Sequence, residues 1–158
     1  MADLPPIVDL RQSPTALRIQ RGIMRLLRGQ YDVCCFAEVP LANGRRADVL
    51  ALGREGELAI VEIKSSVMDF KSDRKWGEYR AFCDRLYFAV ASDFPAELIP
   101  EECGLIRADP FGAAFLREAP ALPLAAARRR AMLLRFASIA AGRLRRLTDP
   151  GIDDPELA

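Results

Sequence analysis

The sequence contains no histidine. That removes imidazole bases, Ser-His and Cys-His nucleophile pairs, and the commonest transition-metal ligand. Its four cysteines, Cys34, Cys35, Cys83 and Cys103, show no C-x-x-C spacing, so a structural zinc site is not expected either. Lysine is scarce: of 23 basic residues, only Lys64, Lys71 and Lys75 are not arginine. A GC-rich genome is enough to produce that bias. A surplus of one charge is also missing. The formal net charge is +1, so any surface for a polyanion has to be local. Long apolar runs are absent as well. The late Ala- and Leu-rich stretch is broken by Arg128 to Arg130, Arg135 and Arg143, and no segment is expected to span a membrane. Asp3, Pro5 and Pro6 interrupt any signal-peptide pattern, which points to a cytoplasmic protein with reduced cysteines.

What is present suffices for one domain. The chain has 158 residues, 51% hydrophobic and 28% charged. A single domain over residues 1–158 is expected, with its core at about 14–147 and flexible ends. Ser13-Pro14 opens a helix from Thr15 to about Gly29. On it Leu17, Ile23, Met24 and Leu27 recur at helical spacing, and Arg18, Arg21, Arg25 and Arg28 form a stripe that reads as a solvated face. Three strands are expected at Tyr31–Val39, Arg46–Leu52 and Leu58–Lys64, with turns at Pro40 to Gly44 and Gly53 to Gly56.

A polar loop from Ser65 to Asp73 follows, then a helix carrying Trp76, Tyr79, Phe82 and Cys83, with the aromatics read as core. Leu86–Ala91 is a buried strand, and Pro95–Glu102 a loop or brief helical turn. Leu105–Arg107 and Ala113–Arg117 read as edge strands around Asp109-Pro110. Ala125–Leu147 closes the chain as a long helix whose Arg128 to Arg130 read as solvated, between an irregular lead-in over 1–12 and a frayed tail after Asp149-Pro150. The class is α/β: a mixed sheet flanked by helices, with a small C-terminal hairpin and a long C-terminal helix.

The segment that carries chemistry is Arg45-Arg46-Ala47-Asp48-Val49-Leu50-Ala51-Leu52, a turn, then Ala59-Ile60-Val61-Glu62-Ile63-Lys64. Alternation along a strand puts Glu62 and Lys64 on one face. Counting outward from the Gly53–Gly56 turn, Asp48 faces a residue close to Glu62 or Lys64, within about two residues of register. Two carboxylates meeting at a strand end suit a hard cation such as Mg²⁺ or Mn²⁺. Such an ion polarises a phosphodiester and activates water, and the adjacent lysine can orient that water and stabilise developing charge. No histidine is needed. A lone E-x-K is common and usually just solvated. An apolar strand that ends abruptly in Glu and Lys, opposite an Asp, asks for a compensating ion or partner.

The run R-x-D-V-x-A followed by A-I-V-E-I-K-S resembles the PD-(D/E)xK (restriction-endonuclease-like) superfamily, particularly its Holliday-junction-resolvase-like members, whose αβββαβ core matches the order above. Phe70 to Val90, with D-R-K-W-x-x-Y and C-D-R-L-Y-F-A-V, is similar to the bacterial MmcB-like DNA repair family. So are G-L-I-x-A-D at Gly104 to Asp109 and A-R-R-R-A-x-x-L-R-F-A at Ala127 to Ala137. The resemblance covers roughly residues 14–147. It implies a metal-dependent DNA endonuclease or phosphodiesterase acting in repair on structured or damaged DNA. In that role Asp48 and Glu62 are the metal-binding carboxylates, Ile63 offers its backbone carbonyl, and Lys64 is the catalytic lysine. Ala47 stands where the superfamily nominally has proline. The helix from Thr15 to Gly29 lacks the acidic residue that many relatives place there.

Glu38 is the candidate substitute ligand. A three-residue loop at Ala42–Gly44 sets it opposite Asp48 on the same face, whereas a two-residue turn at Asn43-Gly44 turns it away. Arg45 and Arg46 at the mouth of the site, with Arg74 and Lys75 on the following helix, are the candidate nucleic-acid contacts. A domain this small is expected to work as a homodimer or with a DNA repair partner protein. Two other readings remain open: a catalytically silent DNA-binding scaffold of the same fold, and a plain interaction protein.

Overall fold

Ser13 caps the first helix as its hydroxyl accepts from the Ala16 amide at 3.1 Å, and Pro14 occupies the first turn of α1 (Pro14–Gln30). The computed structural model describes residues 12–31 and 33–150. Apart from Gln12, the expected lead-in and the tail after Pro150 lie outside the described residues. Strands β1 (Cys34–Pro40), β2 (Arg46–Leu52) and β3 (Leu58–Lys64) form an antiparallel meander. A crossover then returns the chain to β4 (Arg85–Val90) and another to β5 (Gly104–Ala108), both parallel to β3, and β6 (Ala113–Arg117) closes the sheet antiparallel to β5. The six strands lie in chain order, and α3 (Ala126–Thr148) follows. No helix among the described residues is long and apolar enough to cross a membrane.

The α/β class and the mixed sheet flanked by helices are as expected, and four local expectations are corrected. The polar loop after Lys64 contains a short helix, α2 (Val67–Ser72). It starts on an arrangement close to a capping box: the hydroxyl of the cap residue Ser66 accepts from the Asp69 amide, and Asp69 Oδ2 reaches back to accept from the amide of the preceding Ser65 at 3.0 Å. The segment carrying Trp76, Tyr79 and Phe82 is a 3-10 helix (Trp76–Phe82), in which residues three apart eclipse and face the core together. The C-terminal hairpin is present as β5 and β6, but β5 is an interior strand paired on both sides, so of the two only β6 is an edge. Arg129 is not a solvated residue, for the reason given below.

Both faces of the sheet are covered. Ile19, Ile23 and Leu27 of α1 pack on Val49, Val61, Ala89 and Ile106. Tyr79, Phe82, Phe94 and the α3 residues Met132, Phe136 and Ile139 pack on Leu50, Leu58, Ile60 and Phe88. Burial of each such side chain contributes about 1.5–3 kcal/mol. Gly22 lets α1 sit directly on the β5–β6 turn, since a Cβ there would stand 2.1 Å from the Asp109 carbonyl oxygen and 2.4 Å from that of Gly112.

Asp84, buried just before β4, ties four segments together. Its carboxylate accepts from the amides of Leu58 (2.7 Å) and Leu124 (2.8 Å) and takes both ends of the Arg129 guanidinium at 2.8 and 2.5 Å. Arg129 also donates to the Gly56 carbonyl at 2.7 Å. Burial works against the Asp84 carboxylate, but Arg129 and the amides hold it below the usual range.

Asp84→Ala is expected to cost about 2–3 kcal/mol, because it leaves two amides without their acceptor and removes the partner of a partly exposed guanidinium. Gly22→Ala is expected to cost about 1–3 kcal/mol through backbone overpacking. Urea denaturation of both variants against wild type checks both values.

Candidate active site

The β1–β2 loop is the three-residue kind. Leu41 and Arg45 face each other through a 2.7 Å bond from the Leu41 amide to the Arg45 carbonyl, and Gly44 takes the left-handed conformation (φ 81°) that closes it. Ala37 then pairs with Val49 and Val39 with Ala47, which sets Glu38 opposite Asp48. Glu38 has φ 58°, unusual for a residue with a side chain, and Arg143 of α3 holds it there by donating to the carbonyls of Ala37 (2.6 Å) and Glu38 (2.7 Å). Alternation breaks at this row. Cys35 and Val39, four residues apart, pack on opposite faces of the sheet, as do Ala47 and Val49.

On the other side of Asp48, the regular β2–β3 ladder ends at Val49–Val61. Side chains replace the backbone there. The Ile63 amide donates to Asp48 Oδ2 at 2.7 Å, and the Asp48 amide donates to Glu62 Oε1 at 3.1 Å. Each strand thus fixes the carboxylate of the other.

Both carboxylates line one pocket of about 350 Å³ at the ends of β2 and β3, with Ile63, Lys64, Asp69, Arg46 and the first turn of α1 around it. Glu62 and Lys64 are each only 4% exposed. Burial raises the Asp48 pKa to about 6, against the bond from Ile63 and with help from the Glu38 charge. Burial and the Asp48 charge push Glu62 well above the usual carboxylate range. The Lys64 ammonium pairs with Asp73 Oδ2 at 2.6 Å, just after α2, and lies 5.9 Å from the centre of the Phe88 ring. Burial would raise the Asp73 carboxyl, but Lys64 outweighs it and lowers the pKa.

The site residues expected from sequence divide into two groups. Asp48, Glu62, Ile63 and Lys64 meet in the pocket. Glu38 stands beside it with its carboxylate bonded to Gln12 and to Arg46 (2.5 Å). Arg45 is turned to Glu78 at 2.7 Å and over the Tyr79 ring, away from the pocket lining. Arg74 and Lys75 lie exposed on the turn before the 3-10 helix. Three residues escaped the sequence reading. Asp73 has no local signature. Tyr79, correctly read as core, also reaches Glu62 and the Arg46 carbonyl (3.1 Å) with its hydroxyl. Asp69 carried a legible signal, the S-x-x-D capping box at Ser66–Asp69.

Among the described residues, no group of three His, Cys, Asp or Glu side chains is arranged to hold a metal. The protein offers one buried and one half-buried carboxylate and a neighbouring carbonyl, all hard oxygens. That set fits Mg²⁺ or Mn²⁺, which bind through one or two carboxylates and fill their remaining positions with water and phosphate. Two desolvated carboxylates, one of them raised further by the charge of the other, are also a pair that a divalent cation would relieve.

A family model described as DNA repair protein MmcB-like matches residues 3–151. A solved structure of a protein of unknown function from Silicibacter pomeroyi is 42% identical, with a TM-score of 0.84, over 91% of this chain and 98% of that one. No curated protein matches.

The raised Asp48 pKa sets a pH test. Below the unfolded value near 3.8 the group is protonated in both states and costs nothing. As pH climbs to about 6 the folded state must ionise a buried acid and loses stability. Asp48→Asn is therefore expected to stabilise the metal-free protein by about 2–3 kcal/mol above pH 6 and by nothing near pH 3.5. Paired thermal melts across that range, in chelator, measure it.

Proposed function

Starting from a chain that belongs to the MmcB-like DNA repair family, we propose that it is a divalent-metal-dependent DNA endonuclease or phosphodiesterase of PD-(D/E)xK type, acting on structured or damaged DNA. The observation that carries this reading is the crossed hydrogen bonding of Asp48 and Glu62, which aims one half-buried and one buried carboxylate into one pocket beside a buried lysine. Asp48, Glu62 and the Ile63 carbonyl would hold Mg²⁺ or Mn²⁺. When bound, the ion supplies Lewis-acid polarisation of the phosphodiester and acidifies a water.

The chain's own residues do the rest. Amide bonds from Ile63 and Asp48 fix one oxygen of each carboxylate, so little reorganisation is required when substrate arrives. Lys64 lines the pocket beside them, where its ammonium can orient the attacking water and meet charge developing on the phosphate. Asp73 keeps that ammonium in place.

Two observations favour the second reading, a silent DNA-binding scaffold. Lys64 is already matched to Asp73, and among the described residues the protein offers no third metal-binding side chain.

Calorimetric titration of Mg²⁺ and Mn²⁺, with cleavage of labelled DNA on the same samples, separates the two. Asp48→Ala and Glu62→Ala are expected to lose both metal binding and cleavage. Lys64→Met is expected to keep metal binding and lose about 10²–10³-fold in cleavage rate. DNA binding that ignores metal, with no cleavage in any sample, would leave only the scaffold.

A further inference from the structure

The cations expected at the mouth of the site have carboxylate partners there. Arg46 is paired with Glu38 and Arg45 with Glu78. A stronger uncompensated positive field lies on α1. Arg18, Arg21, Arg25 and Arg28 are all exposed along one stripe, and the helix carries no acidic residue. None of the four meets a carboxylate among the described residues: Arg25 donates to the carbonyl of Phe111 (3.4 Å), and Arg28 to the carbonyl of Cys35 (3.3 Å) beside its thiol. Arg21, Arg25 and Arg28 wall a groove of about 420 Å³. The other end of the same helix, at Ser13 and Ala16, lines the carboxylate pocket.

An aromatic residue stands next to this groove, since Arg25 reaches the carbonyl of Phe111. Phe111 is 81% exposed, yet its turn is rigid. Asp109 Oδ1 accepts from the amides of Phe111 (2.7 Å) and Gly112 (3.0 Å), the Asp109 amide donates to the Gly112 carbonyl at 3.0 Å, and Gly22 seats α1 against both carbonyls. A solvent-exposed phenylalanine on a locked turn loses little conformational freedom when a flat ring stacks on it.

We propose that the outer face of α1, with Phe111, is a binding track for a single DNA strand whose phosphates lie along Arg21, Arg25 and Arg28 and one of whose bases stacks on Phe111. The inference rests on the DNA-processing reading and adds to it where the strand runs. Ser13 and Arg21 are eight residues apart, about 12 Å of helix. The groove therefore stands a few nucleotides of strand away from the pocket. Charge selects this occupant, and the rigid aromatic selects an unpaired base over a closed duplex.

The test is fluorescence anisotropy of a labelled 12-nucleotide single strand in EDTA, titrated with salt, so that binding is read without cleavage. R21Q/R25Q/R28Q is expected to bind tenfold to a hundredfold more weakly at 0.1 M salt, with a log–log salt slope shallower by about 2. Restoring the charges in R21K/R25K/R28K is expected to recover most of the affinity, and Phe111→Ala to lose about tenfold. A triple glutamine variant with unchanged affinity and slope overturns the track. So does a wild type that prefers the matching duplex, or one that binds anionic phosphatidylserine vesicles as tightly as the strand. Cleavage of the same strand in Mg²⁺ is read separately: its absence removes the nuclease reading, whereas loss of arginine-dependent binding in EDTA removes the track.

Discussion

A single buried carboxylate holds the architecture in register. Asp84 sits where the crossover from β3 enters β4, and its hydrogen bonds reach the first residue of β3, the strap before α3, and Arg129 on α3 itself. The start of the central strand, the crossover and the closing helix are therefore fixed against one another by one residue. Once β3 is anchored at Leu58, its far end is fixed too, because a seven-residue strand buried on both faces has no freedom to slide.

The two ends of β3 use the same chemistry for opposite purposes. At the Leu58 end the acid is matched by a guanidinium and its pKa falls. At the Lys64 end Asp48 and Glu62 lie beside each other, the nearest ammonium is engaged by Asp73, and both pKa values rise. A structural carboxylate is one the fold has already neutralised. An acid pair left repelling in a polar pocket is an arrangement that folding alone would not favour.

Much of this was legible in the sequence because it is local. Asp48, Glu62 and Lys64 lie a countable distance from the Gly53–Gly56 turn, so hairpin register brings them together. The position of Glu38 turned on whether the first loop holds two residues or three, which its Asn-Gly pair does not decide. Even with the register known, strict alternation would have misplaced side chains around Glu38, since its left-handed backbone reverses the facing of the strand. The pairing of Arg129 with Asp84 spans 45 residues and sits inside a run of three arginines, where nothing distinguishes the middle one. Lys64 ends β3 where its apolar run stops, but its tether Asp73 lies beyond α2, which the polar sequence from Ser65 to Asp73 does not announce.

The left-handed Glu38 also sets an order of assembly. Its backbone is held by Arg143, more than a hundred residues downstream and almost at the end of α3. Every side chain in the carboxylate pocket is synthesised in the first half of the chain. During translation the acids and the lysine therefore leave the ribosome well before the contact that sets the strand beside them. A nascent chain holds the full set of pocket residues without its finished geometry, and the last helix completes the site as it docks.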